Sequence, residues 1–228
     1  SVLGDFSAND FIYRKDIEVG GGYGLSANIG YEINPRSSAR LSGQFTEGTN
    51  DTDINRKTVN LRTQPGIESY QREDIRSKIN NWEIGGDYEY NTARGDRFKV
   101  LLISNSFTPD RLRERWNLTG PSSESKNLFL DSTSTTKERI IRSSYTLDMF
   151  GGSQDIEFGA ERAQTILDSS LALGTLNPNG TSSAAVGGLV PVDIPNARSS
   201  VEEMRYEPFI IHNWVFNPRM SLESSILY

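Results

Sequence analysis

Glu83, Asp87 and Glu89, then Arg142 and Asp148, then Glu157 and Glu161 are charged residues set among apolar and aromatic neighbours. Charges at that spacing can line a wet path and set its electrostatics for a passing ligand or ion. They do not suggest covalent chemistry. The single histidine, His212, stands beside Trp214 with no Gly-x-Ser-x-Gly nucleophile elbow anywhere in the chain. One histidine cannot build a His-rich metal site, and the absence of cysteine removes thiolate ligands, thiol catalysis and disulfides. We therefore expect no enzyme, no catalytic or metal-binding residues and no cofactor.

Several local clusters invite a functional reading. Asp51-Thr52-Asp53 offers alternating acidic oxygens, but the glycine and distal glutamate of an EF-hand are missing, so it reads as a solvated loop. Asp110-Arg111-Leu112-Arg113-Glu114-Arg115-Trp116 is the densest charged run. Its arginines could grip an anionic ligand or lipopolysaccharide phosphates, and its balanced charge also suits a plain loop arm. Gly20 to Gly24 is rich in glycine, yet no Gly-Lys-Ser/Thr and no helical pattern follows, which excludes a phosphate loop. Asn-x-Ser/Thr triplets at Asn50, Asn117 and Asn179 matter only in a eukaryotic secreted protein.

The elements that carry these residues follow from hydropathy. Tyr23, Leu25, Ala27, Ile29, Tyr31 and Ile33 alternate without a break with Gly24, Ser26, Asn28, Gly30 and Glu32. The run exceeds the roughly five or six residues of an ordinary soluble strand and suits a strand with lipid on one face and water on the other. Ala39 to Phe45, Trp82 to Tyr90, Ile141 to Met149 and Ile156 to Ala160 repeat the pattern. Charges at every second place could not sit in a dry core, where an unpaired charge costs several kcal/mol, but a water-filled interior accepts them. Val100-Leu101-Leu102-Ile103 and Phe209-Ile210-Ile211 are apolar on both faces, as if they touch a packed object inside.

Tight turns are expected near 34–37, 91–96, 150–153 and 217–219, where Asn, Pro and Gly cluster, at intervals of about 60 residues. Between them, long polar loops are expected near 48–76, 108–137 and 168–202, the last holding a mobile low-complexity stretch from Leu173 to Asn196. Short turns at one end and long loops at the other are the asymmetry of outer-membrane barrels, periplasmic and extracellular respectively. Aromatics beside the turns (Tyr31, Tyr88, Tyr90, Phe98, Phe150, Trp214, Phe216) would form an interfacial girdle. A further strand is expected near 10–19, with Gly20-Gly21-Gly22 as a flexible break after it. The fold expected is all-β: an antiparallel, up-and-down transmembrane β-barrel segment of about nine strands. The odd count, and a start at Ser1 with neither Met nor a signal segment, suggest a piece of a larger barrel.

Composition agrees. Of 228 residues, 35% are hydrophobic and 24% charged, and the net charge is -6. Mean hydropathy is -0.52 and the pI is near 5.0. No stretch approaches the roughly 20 apolar residues of a membrane helix, and a nucleic-acid partner is not expected of so acidic a chain.

Glu138-Arg139-Ile140-Ile141-Arg142-Ser143-Ser144-Tyr145, a Gly-Gly turn, and Ile156-Glu157-Phe158-Gly159-Ala160-Glu161-Arg162-Ala163 resemble barrel hairpins of TonB-dependent outer-membrane receptors of Gram-negative bacteria, as does Tyr23 to Gln44 with its Asn-Pro-Arg turn. The resemblance implies residues 1–228 as part of a plugged barrel of about 22 strands in the bacterial outer membrane. It implies uptake of a scarce nutrient: a siderophore–metal chelate, a vitamin complex or an oligosaccharide. Its partners would be outer-membrane lipid, the transported ligand, and a TonB-type energy-coupling protein acting through a plug absent from this chain. The residues that bind the ligand stay unknown, because they vary by loop. A passive porin-like channel and a secreted β-rich binding or adhesion domain are the alternatives.

Overall fold

A computed structural model describes residues 9–62, 65–120 and 123–228. Its strands are β1 (Asp10–Asn34), β2 (Ser37–Asn60), β3 (Ile67–Asn91), β4 (Arg97–Gly120), β5 (Ser123–Met149), β6 (Gln154–Thr175), β7 (Val190–Pro191), β8 (Arg198–Asn217) and β9 (Met220–Leu227). One 3-10 turn, Ala184–Val186, is the sole helical element among the described residues. The strands form a single antiparallel sheet in the order β1-β2-β3-β4-β5-β6-β8-β9, with β7 beside the end of β6. The all-β, up-and-down, nine-stranded expectation holds. The sheet is open: β1 and β9 are its two edges and do not pair with each other.

The count of nine is reached by a different route. Gly20-Gly21-Gly22 is not a break, because β1 runs through it as one strand of 25 residues paired with β2 throughout. The two-residue β7 restores the number. A glycine run needs no break when the neighbouring strand supplies a full ladder of hydrogen bonds.

The turns lie at 35–36, 92–96, 150–153 and 218–219. Asn34 and Asn217 cap theirs in the same way: each side-chain carbonyl accepts from the backbone N–H two residues on, of Arg36 and Arg219, at 2.9 Å. This Asx turn closes the chain locally. Phe150, Gly151 and Gly152 all adopt positive φ, 53°, 65° and 86°.

The segments read as long loops are mostly strand. Residues 48–60 and 67–76 continue β2 and β3, 108–120 and 123–137 continue β4 and β5, and 168–175 continues β6. Residues 63–64 and 121–122 of those segments, like the first eight residues, lie outside the described ones. The physical reason is pairing: polar strands with few apolar residues extend when opposite charges face one another across the ladder. Nor is the Leu173 to Asn196 stretch simply exposed, since Val186 and Leu189 are buried against Gly174 of β6.

Pairing fixes which residues share a face. Tyr23, Ile29, Leu41, Trp82, Tyr88, Leu102, Ile141, Tyr145, Phe158 and Ile210 lie on one side. They are not packed into a core: Ile29 is 66% and Leu41 56% exposed. The other side carries the charged set. Thr52, Ile54, Glu73, Ile75, Ser144, Ala163 and Phe209 are buried there, whereas Ser37, Ser106 and Gly174 are buried on the apolar side. Burial concentrated on one face is what a sheet rolled toward that face produces. Phe209, one of the residues that fitted poorly as sequence, lies flat over Gly159, where a Cβ would collide with its ring and with the Ser143 carbonyl. The Arg142 guanidinium sits 4.3 Å from the centre of that ring.

Candidate ligand-binding face

All seven charged candidates share the polar face by register: Glu83, Asp87 and Glu89 on β3, Arg142 and Asp148 on β5, Glu157 and Glu161 on β6. They do not form one site. Asp87 accepts from Arg40 Nε at 3.0–3.1 Å. Glu161 takes an ion pair from Arg205 at 3.4 Å, which also reaches Glu207 at 2.7 Å. Asp148 serves the turns, accepting from the Gly152 N–H at 2.8 Å while its own N–H donates to Asp96 at 3.2 Å. Glu157 and Arg142 join Arg97 and Lys99 around a depression of about 270 Å³ near the tight turns.

Farther from those turns, the arginine-rich run lies on β4 rather than on a loop, and a strand's period of two sorts it. Arg111, Arg113 and Arg115 project to the polar face; Asp110, Leu112, Glu114 and Trp116 project to the other. Arg113 Nε lies 2.8 Å from Glu73, whose side chain is 5% exposed. Arg115 donates to Asn127 at 3.0 Å. Arg111 borders a cavity of about 580 Å³ walled by Ser132, Ser134 and Ser169 and roofed by Pro195 and Asn196. Asn196 holds a φ of 59°, which bends the chain over the cavity. The surface that faces the cavity is nearly all carbon, with Leu171, Ile194 and Ala197 also in its lining, so it offers few polar atoms to a ligand. His212 lies on the opposite face, against Gln154 at 3.2 Å.

The apolar side becomes charged beyond the aromatic row of Tyr23, Phe45 and Trp82. Asp51 and Asp53 meet Arg76 there, at 3.8 and 2.9 Å, so an arginine neutralises the pair that had suggested calcium. Lys78–Glu47, Lys57–Glu68 and Lys126–Glu114 pair at 3.2, 2.8 and 2.6 Å. Arg72 lies over the Trp116 ring at 3.9 Å and pairs with Glu124 at 2.9 Å. That contact raises the Arg72 pKa and holds the Glu124 carboxyl below its usual range. Among the described residues, no group of three or more His, Cys, Asp or Glu could hold a metal ion.

Sequence reading missed the serine-walled cavity and the Glu73–Arg113 pair. Alternation carried through 110–116 would have separated the arginines, but partners far apart in sequence are visible only once the register is known. The chain matches no protein-family model, and no curated protein or solved structure matches it either.

Proposed function

We propose that this chain forms part of the wall of an outer-membrane β-barrel in a receptor that takes up a scarce nutrient: a siderophore–metal chelate, a vitamin complex or an oligosaccharide. The observation that carries the membrane reading is the broad, solvent-exposed apolar face opposite a charged one. From Ile33 to Tyr23 the strand covers about 33 Å at ~3.3 Å per residue, which a tilt of ~40° lowers to about 25 Å, the height of a barrel's apolar band. The far edge of that band crosses the strands obliquely, from Phe45 and Trp82 on β2 and β3 to Ile141 on β5 and Ala160 on β6. A flat bilayer boundary cutting tilted strands gives such an edge.

In this reading the polar face is the lumen wall. The Arg111 cavity would meet the ligand first, and the charged residues nearer the tight turns would line its way inward. The cargo classes, the TonB-type energy source and the plug rest on the resemblance of the hairpins. The open edges of β1 and β9 would be closed by further strands of the barrel. The test is flotation of the full-length protein with lipid vesicles, followed by a carbonate wash. Membrane wall predicts recovery with the vesicles; a protein left in the aqueous fraction, monomeric without detergent, would instead be a secreted β-rich binding domain.

A further inference from the structure

Two arginines of the apolar face that have no carboxylate partner among the described residues stand together at the edge of a groove. Arg139 on β5 and Arg162 on β6 lie on this face by register, on adjacent strands one pairing step apart. The open groove, about 510 Å³, has an apolar floor that includes Leu41, Ile84, Leu102 and Ile141, and Gly86 leaves it unfilled by a side chain. Ser104, opposite Arg139, adds a hydroxyl. Among the described residues, Arg162 leans only on the Tyr206 hydroxyl, at 3.4 Å, and on Met204 sulfur, at 3.6 Å. Two other cations of the same face are paired. Lys137 pairs with Asp168 at 3.2 Å, and Arg76 with Asp53 at 2.9 Å.

Two guanidiniums without counter-charge repel one another and are costly at the margin of an apolar surface, unless an anion completes them. An apolar trough leading away from them fits a hydrocarbon chain. We infer that this groove binds one anionic phospholipid-type molecule, its acyl chain along Leu41, Ile84 and Leu102 and its phosphate between Arg139 and Arg162. The inference rests on the membrane-wall reading, which puts the far edge of the apolar band at headgroup height. The commitment is to a lipid rather than a free anion, because apolar floor and cationic edge belong to one groove.

The experiment uses the full-length protein in phosphatidylcholine vesicles containing a minor fraction of phosphatidylglycerol. After detergent extraction, native mass spectrometry counts retained lipid. Wild type is expected to keep a phosphatidylglycerol that phosphatidylcholine alone does not replace. The double variant Arg139→Gln/Arg162→Gln should retain it about tenfold less well, as loss of charge-assisted contacts implies. Arg76→Gln, which alters a cation already paired, should retain it like wild type. Equal retention by the double variant, or displacement of the lipid by inorganic phosphate alone, overturns the site while leaving the membrane reading intact. A protein that fails to float with vesicles overturns both.

Discussion

Glu73 is nearly closed to solvent on the polar face, and Arg113 from the next strand lies along it. The arginine is about one-third exposed, so the interaction is partly screened, while the carboxylate has little water of its own. Removing one partner from such a pair leaves a stranded charge, whereas removing both need not. Arg113→Met should therefore lower stability by about 2–3 kcal/mol, and Glu73→Leu combined with Arg113→Leu should recover most of that. Urea unfolding of the reconstituted protein reads both; equal losses for the single and double variants would mean that the pair is not a unit. The arginine run itself was plain in the sequence. That Glu73 would meet its middle member was not, because the contact spans a register between strands.

The strands continue well past the apolar band, and their extensions are held by charge rather than by greasy burial. Two exposed carboxylates there, Glu68 and Asp168, have lowered pKa values. For Glu68 the first cause is the hydrogen bond from Lys57; for Asp168 it is the bond from the Ser200 hydroxyl, followed by that from Lys137. A depressed carboxyl contributes stability above its unfolded pKa, about 4, and that contribution is lost as pH falls through the lower folded value. Amide exchange at the outer ends of β2, β3, β5 and β6, corrected for the intrinsic rate, should accelerate below about pH 4 while residues beside the tight turns stay protected. Uniform acceleration along the strands would contradict this. These extensions were read as loops because Ser, Thr, Asn and Asp dominate them. Composition carries no signal for a strand whose support is a charge on its neighbour.

At the scale of the molecule, both faces of one sheet are open, and the apolar one is too wide to leave in water without a partner. Leu41 sits mid-band on that face and Gln44 on the other. Leu41→Arg should cost about 2–4 kcal/mol if Leu41 faces the bilayer midplane, and Gln44→Arg less than about 0.5. Denaturant unfolding from vesicles measures the difference. If water covered both faces, Leu41, already 56% exposed, would tolerate the arginine as readily as Gln44 does.

Period-two hydropathy in Tyr23–Ile33, Trp82–Tyr90 and Ile156–Glu161 was enough to place strands and to divide their side chains into two sets, because a pleat sends neighbours to opposite faces whatever the surroundings. The Asn, Pro and Gly clusters were likewise legible, since a turn is decided within a few residues. Tertiary structure alone decided the rest. It carried β1 straight through three glycines, laid Phe209 over Gly159, matched Arg113 to Glu73, gathered serines around Arg111 and left Arg139 and Arg162 unpaired. Each depends on the register between chain segments far apart in sequence, and register is a property of the whole sheet rather than of any one strand.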